Sequence, residues 1–312
     1  MAESVRRAAA IAFFLVLSGP SLAQWDPYPS AGVPLTADGE PDLAGPTPRT
    51  FDGRPDFSGI WEHINGQRGP VQGQLGRGPN VDPPPGSPPV GHFFDLGAQF
   101  DLPYTEWGDQ ITQERIDDAA RGNPDAYCLP MGPTQFHMHP QPRKIIQTRD
   151  LIAIVNEVNS GFRQIFLDGR PLPDENALPW WFGYSVGHWE GDTLVVDVTN
   201  FTDNTWVVGH GAPPEGAPAT SITTGHGVFH SEDLHVVERY TLADDNTIHY
   251  EATITDPQVF TQSWTISYDA FNRAADDHIL YEYACHEGNA RNLKLMTGTD
   301  TEARVALEHV PR

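Results

Sequence analysis

Glu238 is the residue whose surroundings in the sequence best fit acid or base catalysis. In residues 234–242, every second side chain is apolar or aromatic except that of Glu238. Alternate residues of a β-strand share one face, so Glu238 is predicted to be buried among these side chains. Burial raises the pKa of a carboxyl group towards the range useful for general acid–base catalysis. We expect His230, near the start of the same segment, and Arg163 to complete the catalytic site.

The alternative role for Glu238 is a structural ion pair with Arg163. A buried carboxylate has to be protonated or paired, because burial of an isolated charge is strongly unfavourable. The sequence alone leaves the catalytic and the structural roles open.

Two histidines, His137 and His139, alternate within the proline-rich residues 127–142. If this segment is an extended, irregular loop, both imidazoles can reach one zinc ion, and Met138 would also suit copper. Further ligands would come from other histidines, namely His188, His210, His226 and His230. No motif with fixed ligand spacing accompanies the pair, so scattered surface histidines are the alternative.

Aromatic residues near loops and strand ends indicate a binding site for a small molecule. The candidates are Trp180, Trp181, Tyr184, Trp206, Tyr250 and Trp264. Aromatic walls suit an apolar or aromatic ligand, or the face of a sugar ring. Ordinary core packing is the alternative for most of them. The adjacent pair Trp180 and Trp181 is the exception, because two tryptophans in a loop need something to cover them.

Other catalytic patterns are not indicated by the sequence. Glu190 and Asp192 flank Gly191, and the three residues are typical of a tight turn. The sequence has no G-x-S-x-G nucleophile motif, no phosphate-binding loop and no dinucleotide fingerprint.

The elements that position these residues are predicted to be mainly β-strands. Short segments rich in β-branched residues alternate with polar turns from residue 143 onwards. Strands are predicted at 144–148, 151–158, 162–167, 184–189, 193–198, 230–242, 247–255, 263–268 and 279–285. This pattern predicts an all-β protein whose antiparallel meander closes into a lipocalin-like barrel or a sandwich. One short helix is predicted at residues 109–121, and residues 200–229 form a long excursion.

Three regions are predicted along the chain. Residues 1–23 have two arginines, an apolar run and a small-residue cleavage site, which is the pattern of a signal peptide. Residues 24–105 form a Pro/Gly-rich extension, which we expect to pack on the main domain through residues 52–61. Residues 106–312 form the antiparallel β domain. No later apolar run is long enough to span a membrane, so a periplasmic or extracellular location is predicted.

Charge and cysteine content narrow the choice of partners. The formal net charge of −23 repels nucleic acid and anionic membranes, so the expected partner is a small molecule. The same acidic surface is typical of a protein from salty surroundings, although ordinary solubility explains it equally well. Cys128 and Cys285 are the two cysteines, and in an exported chain they are predicted to form a disulfide, with two separate buried thiols as the alternative.

Four segments resemble a large, uncharacterised family of exported bacterial proteins. They are DGRPDFSGIW, GHWEGDTLVVDVTNFTDNTW, HSEDLHVVERY and ITDPQVFTQSWT, within residues 52–289. The resemblance implies membership of that family and brings no activity, cofactor or catalytic residue with it.

The residues support three functional hypotheses. The first is a barrel that binds a small, largely apolar or aromatic ligand, with acid–base chemistry of the isomerase, lyase or hydratase type. The second is a metal-binding protein that uses His137 and His139. The third is a carrier or carbohydrate-binding module without catalysis. The sequence does not indicate an oligomeric state.

Overall fold

The computed structural model describes residues 36–38, 42, 45–63, 102–117, 122–139, 141–174, 176–208, 228–275, 277–285 and 287. Two α-helices lie in these ranges, α1 (Glu106–Asp117) and α2 (Pro133–Met138). The strands are β1 (Gly59–His63), β2 (Arg143–Gln147), β3 (Leu151–Asn156), β4 (Phe162–Phe166), β5 (Tyr184–Glu190), β6 (Thr193–Thr199), β7 (Trp206–Val208), β8 (Val228–Phe229), β9 (His235–Leu242), β10 (Thr247–Thr255) and β11 (Trp264–Arg273). The predicted signal peptide, residues 1–23, lies outside the described ranges.

Nine strands form one closed barrel in the order β1-β11-β10-β9-β6-β5-β4-β3-β2. The ring is completed by the pairing of β2 with β1, and all neighbours are antiparallel except β4 and β5. Strand direction cannot alternate around a ring with an odd number of members, so nine strands require a parallel pair. Residues 167–183 provide the long return connection that this pair needs. The predicted all-β class is confirmed, and the barrel, rather than the sandwich, is the architecture.

The Pro/Gly-rich extension contributes a strand to the barrel. β1 pairs with β11 through Trp61 and Arg273, and with β2 through Ile60 and Lys144. A boundary at residue 105 therefore does not separate the extension from the barrel. Because β1 occupies the free edge of β11, no edge is left for the strand predicted at 279–285. That prediction is wrong, and residues 279–284 carry no regular secondary structure.

Four further predictions need correction. Helix α1 begins three residues earlier than predicted, because the Thr105 hydroxyl caps it by accepting a hydrogen bond from Gly108 N at 3.0 Å. Residues 127–142 are not an irregular loop, since they contain α2. β9 begins at His235 rather than at residue 230. The predicted excursion at 200–229 contains β7 and β8, which form a separate two-stranded sheet.

The barrel interior is filled with side chains. Burial alternates along β9 and β10, so that Val236, Tyr240, Ile248 and Ile254 all face the core. This is the period of two that the sequence pattern predicted. The turn between β5 and β6 is also as predicted, with Gly191 at φ +61°, a conformation that glycine adopts without strain.

A disulfide joins Cys128 to Cys285 across 157 positions, with a Cα–Cα distance of 5.7 Å. The predicted pairing is confirmed. The bond ties the segment after β11 to the segment before α2, and Tyr281 N also donates to the Glu157 carboxylate at 3.1 Å. A disulfide is compatible with an extracellular location. Within the described ranges, no helix combines the length and apolar character needed to cross a membrane.

Candidate functional site

Five polar side chains meet at the centre of the barrel, and we call them the interior cluster. They are Arg163 of β4, Ser185 of β5, Glu238 and Tyr240 of β9, and Tyr250 of β10. Each lies on the inward face of its strand, and each is at most 3% exposed. The predicted burial of Glu238 is therefore confirmed, with an exposure of 0%.

Arg163 and Glu238 form a two-point ion pair. Arg163 Nη1 donates to Glu238 Oε1 at 3.0 Å, and Nη2 donates to Oε2 at 2.5 Å. The Tyr250 hydroxyl donates to Oε1 at 2.7 Å, and the guanidinium also donates to Ser185 Oγ. Burial is the largest single influence and opposes the charge of Arg163, but the combined interactions with Glu238, Tyr240 and Tyr250 raise the pKa of Arg163. These contacts match the structural alternative for Glu238, while its catalytic role stays a prediction.

Helix α2 brings His137 into the interior cluster. His137 Nε2 lies 2.7 Å from the Tyr240 hydroxyl and 3.0 Å from Arg163 Nη1. A guanidinium can only donate, so Nε2 is the unprotonated nitrogen of a neutral imidazole. Burial, followed by the positive charges of Arg163 and Arg143, lowers the pKa of His137 well below its usual value. The helix is held by Arg143, which donates to His137 O at 3.0 Å and to His139 O at 2.6 Å.

The two histidines predicted to share a metal ion have different hydrogen-bond partners. His137 lies in α2, which ends at Met138, and His139 follows it with an extended backbone. His137 faces the interior cluster, whereas His139 Nδ1 lies 2.6 Å from Gln141 Oε1. The described residues contain no group of three or more histidine, cysteine or acidic side chains arranged to hold a metal. His210 and His226 lie outside those residues, and metal binding stays a prediction.

Three of the aromatic residues predicted to contact a ligand are buried in different places. Tyr250 belongs to the interior cluster. Trp264 packs edge-on against Phe260, with ring centroids 5.5 Å apart. Trp206 of β7 lies below the guanidinium of Arg115, with 4.4 Å between the guanidinium carbon and the ring centroid.

The other three aromatic residues lie on the outside of the barrel near β4 and β5. Trp180 packs against Tyr184 with a centroid distance of 5.0 Å, and Trp181 beside it is half-buried. Tyr184 stacks on Phe166. The guanidinium carbon of Arg170 lies over the same Phe166 ring, 3.9 Å from its centroid. The six predicted aromatic residues therefore do not line one pocket.

A cleft of about 320 Å³ lies at one end of the barrel, and we call it the α1 cleft. Helix α1, strand β8 and the connections after β6, β8 and β10 form its walls. The lining residues are Trp107, Ile111, Arg115, Asp203, Phe229, His230, Ser231, Glu232 and Gln258. Its volume falls in the range of pockets that bind small molecules, about 300–1,000 Å³.

Arg115 is the cation of the α1 cleft. Its guanidinium lies over two aromatic rings, 4.4 Å from the centroid of Trp206 and 4.7 Å from that of Phe229. Nη1 is buried without a hydrogen-bond partner, and in the described part of the chain no carboxylate pairs with the guanidinium. Burial lowers the pKa of Arg115 to about 10, so the side chain is still charged at neutral pH.

The loop between β8 and β9 forms the facing wall through a fixed set of hydrogen bonds. The buried Asp256 carboxylate accepts from Ser231 N at 2.6 Å and from Ser231 Oγ at 2.9 Å. His230 Nδ1 donates to Ser231 O at 2.8 Å, so Nε2 accepts from the Thr205 hydroxyl at 2.7 Å. Burial lowers the pKa of His230, which favours this neutral form.

His230 therefore lies in the wall of the α1 cleft and not beside Glu238. The two residues have no hydrogen-bond partner in common among the described residues. The structure brings Glu238 and Arg163 together as predicted, but it places His230 with Arg115 and Trp206 instead.

Sequence analysis missed Arg115 and Trp107, although a helix was predicted at residues 109–121. Trp107, Ile111 and Arg115 are spaced by four residues, so they share one helical face. A basic residue in line with apolar residues on such a face was the signal that could have identified Arg115.

Comparison with known proteins gives no independent guide to function. No family model, no curated protein and no solved structure matches this chain at a significant level. The resemblance to exported bacterial proteins stays a prediction, and the function has to be argued from the site.

Proposed function

We propose that the protein binds a small molecule in the α1 cleft, with an anionic group of the ligand on Arg115. The aromatic or apolar body of the ligand packs against Trp107 and Phe229. The observation that carries the proposal is the partly buried, charged guanidinium, which lies against aromatic faces and, among the described residues, forms no ion pair with a carboxylate.

The cost of burying a charge supports this assignment. Removing a cation from water is unfavourable unless hydrogen bonds or an opposite charge compensate for it. Contact with an aromatic face returns about 0.5–2 kcal/mol, which is only partial compensation. A ligand carboxylate or sulfonate would accept charge-assisted hydrogen bonds from the guanidinium and supply a counter-charge.

The proposal is for binding in the periplasm or outside the cell and does not assign catalysis to Glu238. Both oxygens of that carboxylate are already bonded to Arg163, and His230 uses both ring nitrogens in the cleft wall. The predicted signal peptide and the Cys128–Cys285 disulfide support the location.

Two probes that differ only in charge test the proposal. Calorimetric titration with 2-naphthoate and with uncharged 2-naphthamide compares ligands that share one aromatic body. We expect the anion to bind at least about tenfold more tightly, because hydrogen bonds to a charged group contribute about 1.5–3 kcal/mol. The Arg115→Met variant should lose that preference.

Arg239→Met is the matched control, because Arg239 is a surface residue that pairs with Glu190 outside the cleft. Its affinity for 2-naphthoate should equal that of the wild type. Absence of binding by both probes, or a charge preference that persists in Arg115→Met, would refute the proposal.

A further inference from the structure

The α1 cleft carries charges of both signs that do not neutralise each other. Arg115 lines it from α1, Asp203 from the connection between β6 and β7, and Glu232 from the connection between β8 and β9. In the described part of the chain, no ion pair joins Arg115 to either carboxylate. Both carboxylates are exposed at the cleft, whereas the guanidinium is partly buried.

His230 lines the same cleft as the three charged side chains. Burial is the largest influence on its pKa and lowers it, the hydrogen bond to Ser231 and the charge of Asp256 raise it, and smaller opposing influences come from Arg115 and Asp203. A ligand that fills the cleft therefore has both a cation and carboxylates within the lining.

We propose that the ligand of the α1 cleft is an aromatic zwitterion, with its carboxylate on Arg115 and its ammonium group facing Asp203 and Glu232. This inference rests on the proposed function and narrows it to one chemical class, aromatic amino acids and related aromatic amino-carboxylates. The aromatic ring of the ligand packs against Trp107 and Phe229.

The charge of the whole protein favours the same class. The formal net charge of −23 repels a monoanion that approaches from solution. A zwitterion has no net charge and avoids this repulsion. A simple amine would be attracted by the protein but would leave Arg115 without a partner.

Three indole compounds separate the contributions of the two charges. Tryptophan carries both groups, indole-3-propionate lacks the ammonium group, and tryptamine lacks the carboxylate. In calorimetric titrations of the full protein at neutral pH, we expect tryptophan to bind at least about tenfold more tightly than either analogue. The double variant Asp203→Asn, Glu232→Gln should bind tryptophan and indole-3-propionate equally.

Asp150→Asn is the matched control, since Asp150 is exposed in the turn between β2 and β3 and lies outside the cleft. It should keep the preference for tryptophan. If indole-3-propionate binds as tightly as tryptophan and only when Arg115 is present, the zwitterion inference is overturned while the proposed function stands. If neither tryptophan nor indole-3-propionate binds, or if both compounds bind to Arg115→Met as tightly as to the wild type, both proposals fail.

Discussion

Arg163 and Arg115 differ in what balances their charge. Arg163 has Glu238 as a two-point partner and Ser185 as an additional acceptor. Arg115 has the faces of Trp206 and Phe229 and an unpartnered Nη1. Arg163 therefore has its counter-charge within the protein, whereas in our proposal a ligand supplies the counter-charge of Arg115.

Glu238→Gln tests the structural role of the interior ion pair. The change keeps the shape of the side chain and leaves the buried Arg163 cation without its counter-charge. We expect the free energy of unfolding to fall by about 3–5 kcal/mol, which is typical when one partner of a buried pair is removed. Equilibrium denaturation in urea measures the loss. Unchanged or increased stability would instead favour the catalytic role of Glu238.

The neutral state of His137 predicts a dependence of stability on pH. The folded protein holds its pKa well below 6.5, whereas the unfolded imidazole binds a proton near that value. The contribution of His137 is therefore complete above pH 6.5 and is lost as the pH falls below it. The slope is at most about 1.4 kcal/mol per pH unit for one proton.

His137→Gln should reduce the loss of unfolding free energy between about pH 6.5 and pH 5. His188→Gln is the control, because His188 is exposed on the outside of the barrel, and its pH profile should match that of the wild type. Equal profiles for both variants would show that His137 does not carry the effect.

At the scale of elements, α2 connects the interior cluster to the α1 cleft. One side of the helix places His137 in the barrel, and its first residues pack on β7. The Thr134 hydroxyl donates to Val207 O at 2.5 Å. Gly132, just before the helix, is so close to β7 that an added Cβ would lie 1.9 Å from Trp206 O.

Gly132→Ala should disturb both sites at once. The clash is with backbone atoms of Trp206, so rotation of a side chain cannot relieve it. We expect a loss of at least about 1–3 kcal/mol in the free energy of unfolding, the usual cost of overpacking. Gly122→Ala is the control, because its Cβ would make an ordinary 3.7 Å contact with the same tryptophan. Equal stability of the two variants would contradict the close packing of α2 on β7.

Local pattern predicted most of the barrel strands. The period of two and the turn residues located β2, β3, β4, β5, β6 and β10 to within two residues. β1 was missed because its pairing partners, β2 and β11, are distant in sequence, and nothing local in GIWEH distinguishes a strand from a docking segment. α2 was missed because its many neighbouring prolines are typical of irregular structure, and the contacts that hold it, from Arg143, Asn156 and β7, come from other elements.

The candidate site was less predictable than the fold. Burial of Glu238 followed from strand alternation alone. The α1 cleft combines side chains from four separate parts of the chain, and sequence spacing does not reveal that kind of proximity. His230 and Trp206 were identified from their residue types, but the residue near both, Arg115, lies 91 positions before Trp206 and 115 positions before His230.

At the scale of the whole molecule, the acidic surface should make stability depend on salt. A formal net charge of −23 on 312 residues implies repulsion among carboxylates in the folded state. Salt screens this repulsion over a Debye length of about 8 Å at physiological ionic strength. The midpoint of thermal unfolding should therefore rise as sodium chloride is added. A midpoint that stays constant or falls would leave ordinary solubility as the explanation of the charge.

The central claim is that the protein keeps Arg115 charged and unpaired for an anionic ligand. Removing such a cation removes its desolvation cost, which offsets the loss of about 0.5–2 kcal/mol of contact with aromatic rings. A ligand that binds the folded state alone also stabilises it in proportion to the logarithm of its concentration. Both effects are read from one measurement, equilibrium unfolding of the wild type and of Arg115→Met with and without 2-naphthoate.

Without ligand, we predict that Arg115→Met is as stable as the wild type to within about 1 kcal/mol, or more stable. With 2-naphthoate, only the wild type should gain stability. A loss of more than about 2 kcal/mol in the free variant would show that Arg115 serves the fold. Equal stabilisation of both proteins by 2-naphthoate would show that the anion binds elsewhere, and either result would contradict the claim.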